Sequence, residues 1–322
     1  MSSRLPKLIF LSGRSNVDLA ESIASYDGFK LSKTYFKDFA NKEMYCKIEE
    51  SVRGEDVFIL QTCGPEDPNK DMMELLILAH TARRASARRI TAVIPYIYGS
   101  RQDRKSEPRT PVTIQLIGDL LRAAGVDRVA TVSIHNHASV AAFNSIIVDN
   151  ISTINVFIND LKELHKQKNF VVFSPDAGGV PRAKAYANIL AVELGFAYKS
   201  RAEANKIKSL TLVGDVKDKN ILIVDDIVDT GGTHIKFAQE AVKAGAKEVY
   251  YAISHAVLSN DAIQKIQECP EITKMFVTDS IHHNNLPDKF VVKSLGSLLG
   301  ETIVRINSDQ SFEGLYDPEE CK

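Results

Sequence analysis

The stretch Ile221-Leu222-Ile223-Val224-Asp225-Asp226-Ile227-Val228-Asp229-Thr230-Gly231-Gly232-Thr233 decides the fold class of this chain. Its four leading apolar residues are followed by two carboxylates, which predicts a buried strand ending in acidic side chains. A turn with two glycines then leads into a helix predicted over residues 233–244. Because open α/β sheets bind ligands outside the carboxyl ends of their strands, the sequence predicts a ligand site at this turn.

The residue types in this turn suit a sugar phosphate. Glycines let backbone N–H groups approach a phosphate, the hydroxyls of Thr230 and Thr233 add donors, and the start of a helix favours an anion. Asp225 and Asp226 are candidates to hold ribose hydroxyls, directly or through Mg²⁺. An ordinary capped turn is the alternative, but adjacent acids directly after an apolar strand argue against it.

The same alternation of strand and helix patterns runs along the whole chain of 322 residues. Strands are predicted at 8–11, 57–61, 90–95, 128–134, 170–174, 220–225, 248–254 and 274–278. Helices are predicted at 71–86, 113–124, 153–166, 182–194, 233–244 and 262–268. This order predicts an α/β protein with βαβ units and mostly parallel sheets flanked by helices. A connecting segment suggests two domains, residues 1–152 and 153–322.

Composition excludes several classes of protein. Hydrophobic residues make up 44% and charged residues 25%, and the formal net charge is -1, so no bulk field attracts nucleic acid or an anionic membrane. The four cysteines lack CxxC spacing, which argues against a zinc site or a disulfide framework. The apolar runs are too short for a signal peptide or a membrane span. We therefore expect a cytoplasmic protein without nucleic-acid or membrane partners.

A second turn, Ser174-Pro-Asp176-Ala-Gly178-Gly179, also follows an apolar strand. The carboxylate of Asp176 can hold a metal ion, and the amides around Gly178 and Gly179 can hold a pyrophosphate; a plain β-turn is the alternative. For other charged residues, composition alone predicts ordinary surface or structural roles. Arg101 lies in a surface-type turn, and His135 stands at a strand end. Lys199 and Arg201 stand just before residues 202–208, which form a polar surface loop.

Several segments, taken together, resemble the ribose-phosphate pyrophosphokinase family across almost the whole chain. They are residues 39–43, 48–54, 101–105, 174–179, 199–201, 213–216 and the stretch at 221–233, which resembles the phosphoribosyl-pyrophosphate-binding motif. The resemblance implies two phosphoribosyltransferase-like domains. It also implies transfer of the β,γ-diphosphoryl group of ATP to the 1-hydroxyl of ribose 5-phosphate, which gives phosphoribosyl pyrophosphate and AMP.

The resemblance assigns the ATP contacts to two groups of residues. The first is Phe39, Asn41 and Glu43, which would reach the ATP of a neighbouring subunit with the aromatic ring on the adenine. These three alternate, as one face of a strand would. The second group is Arg101, Gln102 and His135. A shared ATP site implies a homo-oligomer, and the family forms hexamers built from dimers.

The resemblance assigns the remaining chemistry to a metal and a loop. His135 and Asp176 would hold Mg²⁺, and the 225–233 stretch would bind ribose 5-phosphate. Lys199 and Arg201 would open a flexible catalytic loop that closes over the site.

The chain departs from the family pattern at Lys42, where glycine is usual, and at Ser133 and residues 136–142. Two alternatives therefore stay open. A catalytically weak paralogue acting as a regulatory or partner subunit would be expected to lose the Lys-x-Arg pair, the histidine or the acidic stretch, and this chain keeps all three. A phosphoribosyltransferase-type ligand-sensing protein would have one such domain and would not account for Phe39–Glu43.

Overall fold

A computed structural model describes the backbone of residues 6–143, 146–203 and 206–315, and the side chains of these residues except 167, 199–203 and 206–209. The strands are β1 (Leu8–Ser12), β2 (Thr34–Asp38), β3 (Met44–Ile48), β4 (Asp56–Leu60), β5 (Arg89–Val93), β6 (Arg128–Val132), β7 (Ile147–Ile151), β8 (Phe170–Ser174), β9 (Leu194–Glu203), β10 (Lys206–Val213), β11 (Asn220–Val228), β12 (Glu248–Ala256), β13 (Lys274–Thr278) and β14 (Phe290–Lys293). The helices are α1 (Val17–Ser25), α2 (Pro68–Arg84), α3 (Thr113–Ala124), α4 (Ile154–Gln167), α5 (Val180–Leu190), α6 (Gly232–Lys243), α7 (Ala262–Glu268) and α8 (Gly296–Asn307).

These strands form two large sheets and one hairpin. In the first sheet, β1, β4, β5, β6 and β7 lie side by side in that order and are all parallel. The second sheet has the order β10-β9-β8-β11-β12-β13-β14, and its described pairs are parallel except β10 with β9. The hairpin consists of β2 and β3, which pair antiparallel.

Strand β11 illustrates why the second sheet is covered on both faces. Its apolar run alternates between the faces, as in any strand. Ile221 and Ile223 pack into a core that includes Phe237 of α6, whereas Leu222 and Val224 pack into a separate core beneath α4 and α5. A continuous apolar run is therefore buried on both sides, as parallel sheets require.

The α/β fold class predicted from the sequence is confirmed. Every predicted strand and helix is present, with ends shifted by a few residues. The structure adds β2, β3, β7, β9, β10, β14, α1 and α8. Helix α8 escaped prediction because Gly296 and Gly300 weaken its helical signal. None of the helices that the structure describes is long and apolar enough to cross a membrane.

The segment Phe39–Glu43 corrects one expectation. Its alternating residues were predicted to form one face of a strand, but they form the turn between β2 and β3. The N–H of Lys42 donates to the carbonyl of Phe39 at 2.9 Å, and the φ of Lys42 is +71°. The turn thus has the left-handed backbone that glycine adopts most readily, although a lysine stands there.

The polar segment after Arg201 corrects another expectation. It was predicted as a surface loop, but β9 continues to Glu203 and β10 begins at Lys206. The two strands pair antiparallel, with Lys199 opposite Leu210. Residues 204–205 of the predicted loop lie outside the described part of the chain.

The chain divides into two compact units. Among the described residues, the first contains 6–143, 146–151, 280–282 and 294–313, and the second contains 152–203, 206–279, 283–293 and 314–315. The predicted domains, residues 1–152 and 153–322, remain a prediction. The chain first passes from one unit to the other between residues 151 and 152, and α8 belongs to the first unit. It packs closely on the α1 region, because a Cβ added at Gly296 or Gly300 would overlap Ser22 or Tyr26.

Candidate active site

Two adjacent carboxylates stand at the carboxyl edge of the second sheet. β8 pairs with β11 over residues 220–223, so Asp225 and Asp226 lie beyond the end of β8. The side chain of Asp225 is 17% exposed and that of Asp226 is 6% exposed. Carboxylates this buried need hydrogen-bonding or charged partners to remain ionised.

The carboxylate of Asp225 is held from three directions. Its Oδ2 lies 3.1 Å from Nε2 of His234 on α6, and its Oδ1 accepts the N–H of Asp226 at 3.0 Å. Nη1 of Arg182 lies 3.9 Å from Oδ1. Burial raises the pKa of Asp225, the hydrogen bond with His234 lowers it, and the charge of Asp226 raises it again.

Arg182 joins the two neighbouring strand ends. It lies in the first turn of α5, just after β8, and its Nη1 is 3.3 Å from Oδ1 of Asp226 on β11. Both side chains are largely buried. Removing one member of such a pair leaves a buried charge, which costs about 3–5 kcal/mol.

The glycine turn before α6 places backbone amides at the start of the helix. Gly231 has φ +75°, and a Cβ there would lie 3.1 Å from the side chain of Ile266. The N–H of Ile235 donates to the carbonyl of Gly231 at 2.9 Å, so the amides that precede it lie at the open end of the helix. Thr230 and Gly232 are exposed and Thr233 is half-buried. The turn therefore has the geometry of an anion site.

The turn between β8 and α5 lies beside it, because β8 and β11 are neighbours in the sheet. Oδ1 of Asp176 accepts the N–H of Gly179 at 3.0 Å, and the hydroxyl of Ser174 donates to the carbonyl of Asp176 at 2.6 Å. A Cβ at Gly179 would lie 2.7 Å from that hydroxyl, so a larger residue would displace the Ser174 side chain from its hydrogen bond. Gly178 is exposed, which leaves its backbone open to a ligand.

Lys199 and Arg201 lie on β9, on the other side of β8. The last paired residue of β8, Ser174, faces Phe196, and β9 continues beyond it. At about 3.3 Å per residue, Lys199 stands roughly 10 Å past that point. The strand thus carries both backbone positions beyond the carboxyl edge of β8; their side chains lie outside the described part of the structure.

Arg101 and Gln102 follow β5 at the carboxyl edge of the first sheet. The N–H of Gln102 donates to the carbonyl of Gly99 at 2.8 Å, which closes a turn. Gly99 has φ +76°, and a Cβ there would lie 2.9 Å from Cγ2 of Thr113, so the turn requires glycine. Both Arg101 and Gln102 are exposed.

His135 reaches the same edge from the neighbouring strand β6. It is exposed and lies in the loop that follows Val132. The amide of Asn136 donates to the carboxylate of Asp103, which ties this loop to the turn after β5. The structure thus places Arg101, Gln102 and His135 on adjoining loops of one sheet edge.

The hairpin tip presents the other residues predicted to contact ATP. Phe39 is 42% exposed, and Nζ of Lys37 lies 5.0 Å from the centre of its ring. The N–H of Glu43 donates to Oδ1 of Asn41 at 3.2 Å, and the N–H of Phe39 donates to the carbonyl of Glu43 at 2.8 Å. The tip is therefore a closed turn with an aromatic ring exposed to solvent.

Comparison with known proteins identifies the family. Residues 8–125 match the model of the N-terminal domain of ribose phosphate pyrophosphokinase, and residues 159–280 match the phosphoribosyl transferase domain. The ribose-phosphate pyrophosphokinase of Thermosipho africanus is 42% identical over 307 residues, which cover 95% of this chain and 96% of the relative. The chain belongs to the ribose-phosphate pyrophosphokinase family.

A second relative and a solved structure support the same family. The ribose-phosphate pyrophosphokinase of Campylobacter jejuni is 41% identical over 95% of this chain and 97% of its own length. The crystal structure of phosphoribosylpyrophosphate synthetase from Mycobacterium smegmatis superposes with a TM-score of 0.88 at 34% identity, covering 94% of this chain and 99% of that one. The predicted ribose-phosphate pyrophosphokinase and its two phosphoribosyltransferase-type domains are therefore confirmed. The roles of single residues remain predictions.

Two residues of this candidate site were not predicted from the sequence. Arg182 had a weak signal, a basic residue one turn after the Asp176–Gly179 stretch. His234 had a clearer one, since it is a polar residue on the helix face otherwise made of Phe237, Ala238 and Ala241. Both escaped notice because their partners on β11 become visible only after folding.

Proposed function

We propose that this ribose-phosphate pyrophosphokinase transfers the β,γ-diphosphoryl group of ATP to the 1-hydroxyl of ribose 5-phosphate, giving phosphoribosyl pyrophosphate and AMP. One observation carries the proposal. A glycine turn at a helix start lies beside two partly buried acids, in a chain that matches pyrophosphokinases over 95% of its length. The transferred group needs little covalent chemistry from the protein, so positioning and charge neutralisation dominate.

Ribose 5-phosphate binds at the turn between β11 and α6. The amides of Gly231 and Gly232 and the hydroxyls of Thr230 and Thr233 hold its 5-phosphate, because the helix start concentrates donors and positive potential there. The carboxylates of Asp225 and Asp229 accept the ribose hydroxyls. Asp226 completes the site by anchoring Arg182.

The diphosphoryl group lies over the turn at Asp176, Gly178 and Gly179, next to the sugar. Mg²⁺, when bound, neutralises charge on the phosphate oxygens. The described residues contain no group of three or more His, Cys, Asp or Glu side chains that could hold a metal. Mg²⁺ commonly takes one or two protein ligands together with substrate phosphates. Asp176 offers a carboxylate and His135 an imidazole for this purpose.

ATP is held by the loops that follow β5 and β6, through Arg101, Gln102 and His135. A planar guanidinium suits a phosphate, and the exposed ring of Phe39 suits an adenine. With Asn41 and Glu43, Phe39 serves the ATP site of a neighbouring copy. The active form is accordingly a homo-oligomer, a hexamer built from dimers.

Lys199 and Arg201 supply positive charge to the group in transfer. The anomeric hydroxyl attacks the β-phosphorus of ATP in line, and AMP leaves. Negative charge spreads over the transferred oxygens in the transition state, and preorganised cations stabilise it more than they stabilise the substrates.

The buried cysteines support a proposal about where the protein works. Cys46, Cys63 and Cys269 are buried and free of disulfides, as is usual in a reducing compartment. We therefore propose that the enzyme works in the cytoplasm.

The test is a magnesium-dependent assay that follows AMP formed from ATP and ribose 5-phosphate. We expect one AMP for each phosphoribosyl pyrophosphate and no AMP without the sugar. Purified protein that binds both substrates but forms no AMP would be a partner or regulatory subunit instead. Adding such a protein to an active pyrophosphokinase and measuring altered activity would establish that role.

A further inference from the structure

A buried histidine lies directly behind the sugar-binding acids. His234 is 5% exposed and lies in the first turn of α6, whose other buried residues are Phe237, Ala238 and Ala241. A polar ring on an apolar face loses its hydration, so it requires a partner inside the protein.

Its partner is Asp225. Nε2 of His234 is 3.1 Å from Oδ2 of Asp225, and an ionised carboxylate can only accept, so Nε2 carries the hydrogen. The bond connects strand β11, which leads into the sugar-phosphate turn, with helix α6, which follows the turn. It therefore fixes the acid relative to the amides that would hold the 5-phosphate.

Tyr251 of β12 immobilises the histidine. Its hydroxyl donates to the backbone carbonyl of His234 at 2.6 Å, and the two rings meet edge to face with centres 5.4 Å apart. Tyr251 is fully buried. The imidazole is thus held by its backbone and by its ring, and it has little freedom to leave Asp225.

Hydrogen bonds to both oxygens therefore fix the orientation of the Asp225 carboxylate. Oδ1 accepts the N–H of Asp226 and Oδ2 accepts from His234. Each oxygen retains acceptor capacity for a further donor such as a sugar hydroxyl. An acceptor that is already oriented loses less freedom when the ligand binds.

We propose that His234 is a positioning residue for ribose 5-phosphate, which acts by holding the carboxylate of Asp225 in the orientation that accepts the ribose hydroxyls. This inference rests on the proposed role of Asp225. It predicts that His234 affects the binding of ribose 5-phosphate and not the binding of ATP.

The experiment compares His234→Leu with His234→Gln in the full-length enzyme. Leucine fills the space without a donor, whereas the glutamine amide can place its nitrogen near the position of Nε2. We expect His234→Leu to raise the KM and the calorimetric Kd for ribose 5-phosphate at least about tenfold, with the KM for ATP changed less than about threefold. His234→Gln should restore most of that affinity. Phe237→Leu, a buried change on the same helix face, is the control for packing damage and should leave both KM values near those of the wild type.

The possible outcomes separate the two ideas. If Asp225→Asn weakens ribose 5-phosphate but His234→Leu does not, the positioning role is wrong and the sugar site stands. If neither change affects the sugar, the site assignment fails and the inference fails with it. Should His234→Leu not fold, His234→Asn takes its place, because the shorter amide cannot reach Oδ2 of Asp225. A loss confined to ribose 5-phosphate would support the positioning role, and equal losses for the sugar and ATP would indicate a purely structural role.

Discussion

Lys199 and Arg201 are the residues on which the proposed chemistry most depends. Each should act mainly in the transition state, so Lys199→Ala and Arg201→Ala should each lower kcat at least about a hundredfold. The KM values should change far less, because the substrates are held elsewhere. Steady-state kinetics of both variants measures this, with Tyr198→Ala as the control, since Tyr198 is a 63% exposed neutral neighbour on β9. A rise in KM with unchanged kcat would contradict the assigned role.

The raised pKa of Asp71 predicts how the stability of the fold depends on pH. It lies in the first turn of α2, where burial raises its pKa to about 6, although the N–H of Gly64 donates to it at 2.8 Å. The unfolded chain releases this proton near about pH 4. The folded state therefore binds more protons between these values, and the contribution of Asp71 to stability falls as pH rises through that window.

Asp71→Asn should therefore stabilise the protein above about pH 6, by on the order of 1 kcal/mol after allowance for solvent screening. The amide oxygen still accepts the N–H of Gly64. Thermal unfolding at pH 7.5 and at pH 4.5 measures the effect, and the advantage of the variant should shrink at the lower pH. An equal advantage at both values would show that the charge of Asp71 is not the cause.

At the start of helix α6, the backbone conformation limits which residue can stand at position 231. Gly231 has φ +75° and little room for a Cβ, whereas a Cβ at Gly232 would meet no atom within 4 Å. Gly231→Ala should therefore lower the free energy of unfolding by about 1–2 kcal/mol. Gly232→Ala, one residue along, should change it by less than about 0.5 kcal/mol. Chemical denaturation of the two variants tests this, and equal effects would mean that the backbone of the turn is not under this constraint.

At the scale of the whole molecule, the proposed role of Phe39 in the ATP site of a neighbouring copy predicts that active sites are shared between copies. Phe39→Ala and Asp225→Asn should each inactivate a homo-oligomer, by removing the ATP contact and the sugar contact respectively. After subunit exchange, mixed oligomers contain some sites with both intact, so the mixture should recover part of the activity. The assay follows AMP formation before and after mixing, with exchange verified by a size-tagged copy. Complete exchange without recovery would contradict a shared site.

Several features of this protein follow from the sequence alone. The apolar run Ile221–Val224 predicts a buried strand because side-chain period and burial are local properties. Acids after that strand and glycines before α6 predict a phosphate-binding turn, since the chemistry of such a turn depends on neighbouring residues. The eight strands and six helices predicted in this way are all present.

Other features were decided by the tertiary structure. Asp226 and Arg182 are 44 residues apart, and Asp225 meets His234 only because α6 folds back against β11. The hairpin turn at Phe39–Glu43 depends on the pairing of β2 with β3, which an alternating pattern does not reveal. Helix α8 packs in the first unit because Gly296 fits against Ser22 of α1 and Gly300 fits against Tyr26, just after that helix. Side-chain periodicity and motif chemistry depend on residues close together in the sequence, so the sequence alone predicts them. Hydrogen-bond partners, burial and packing depend on distant segments that come together only in the folded protein.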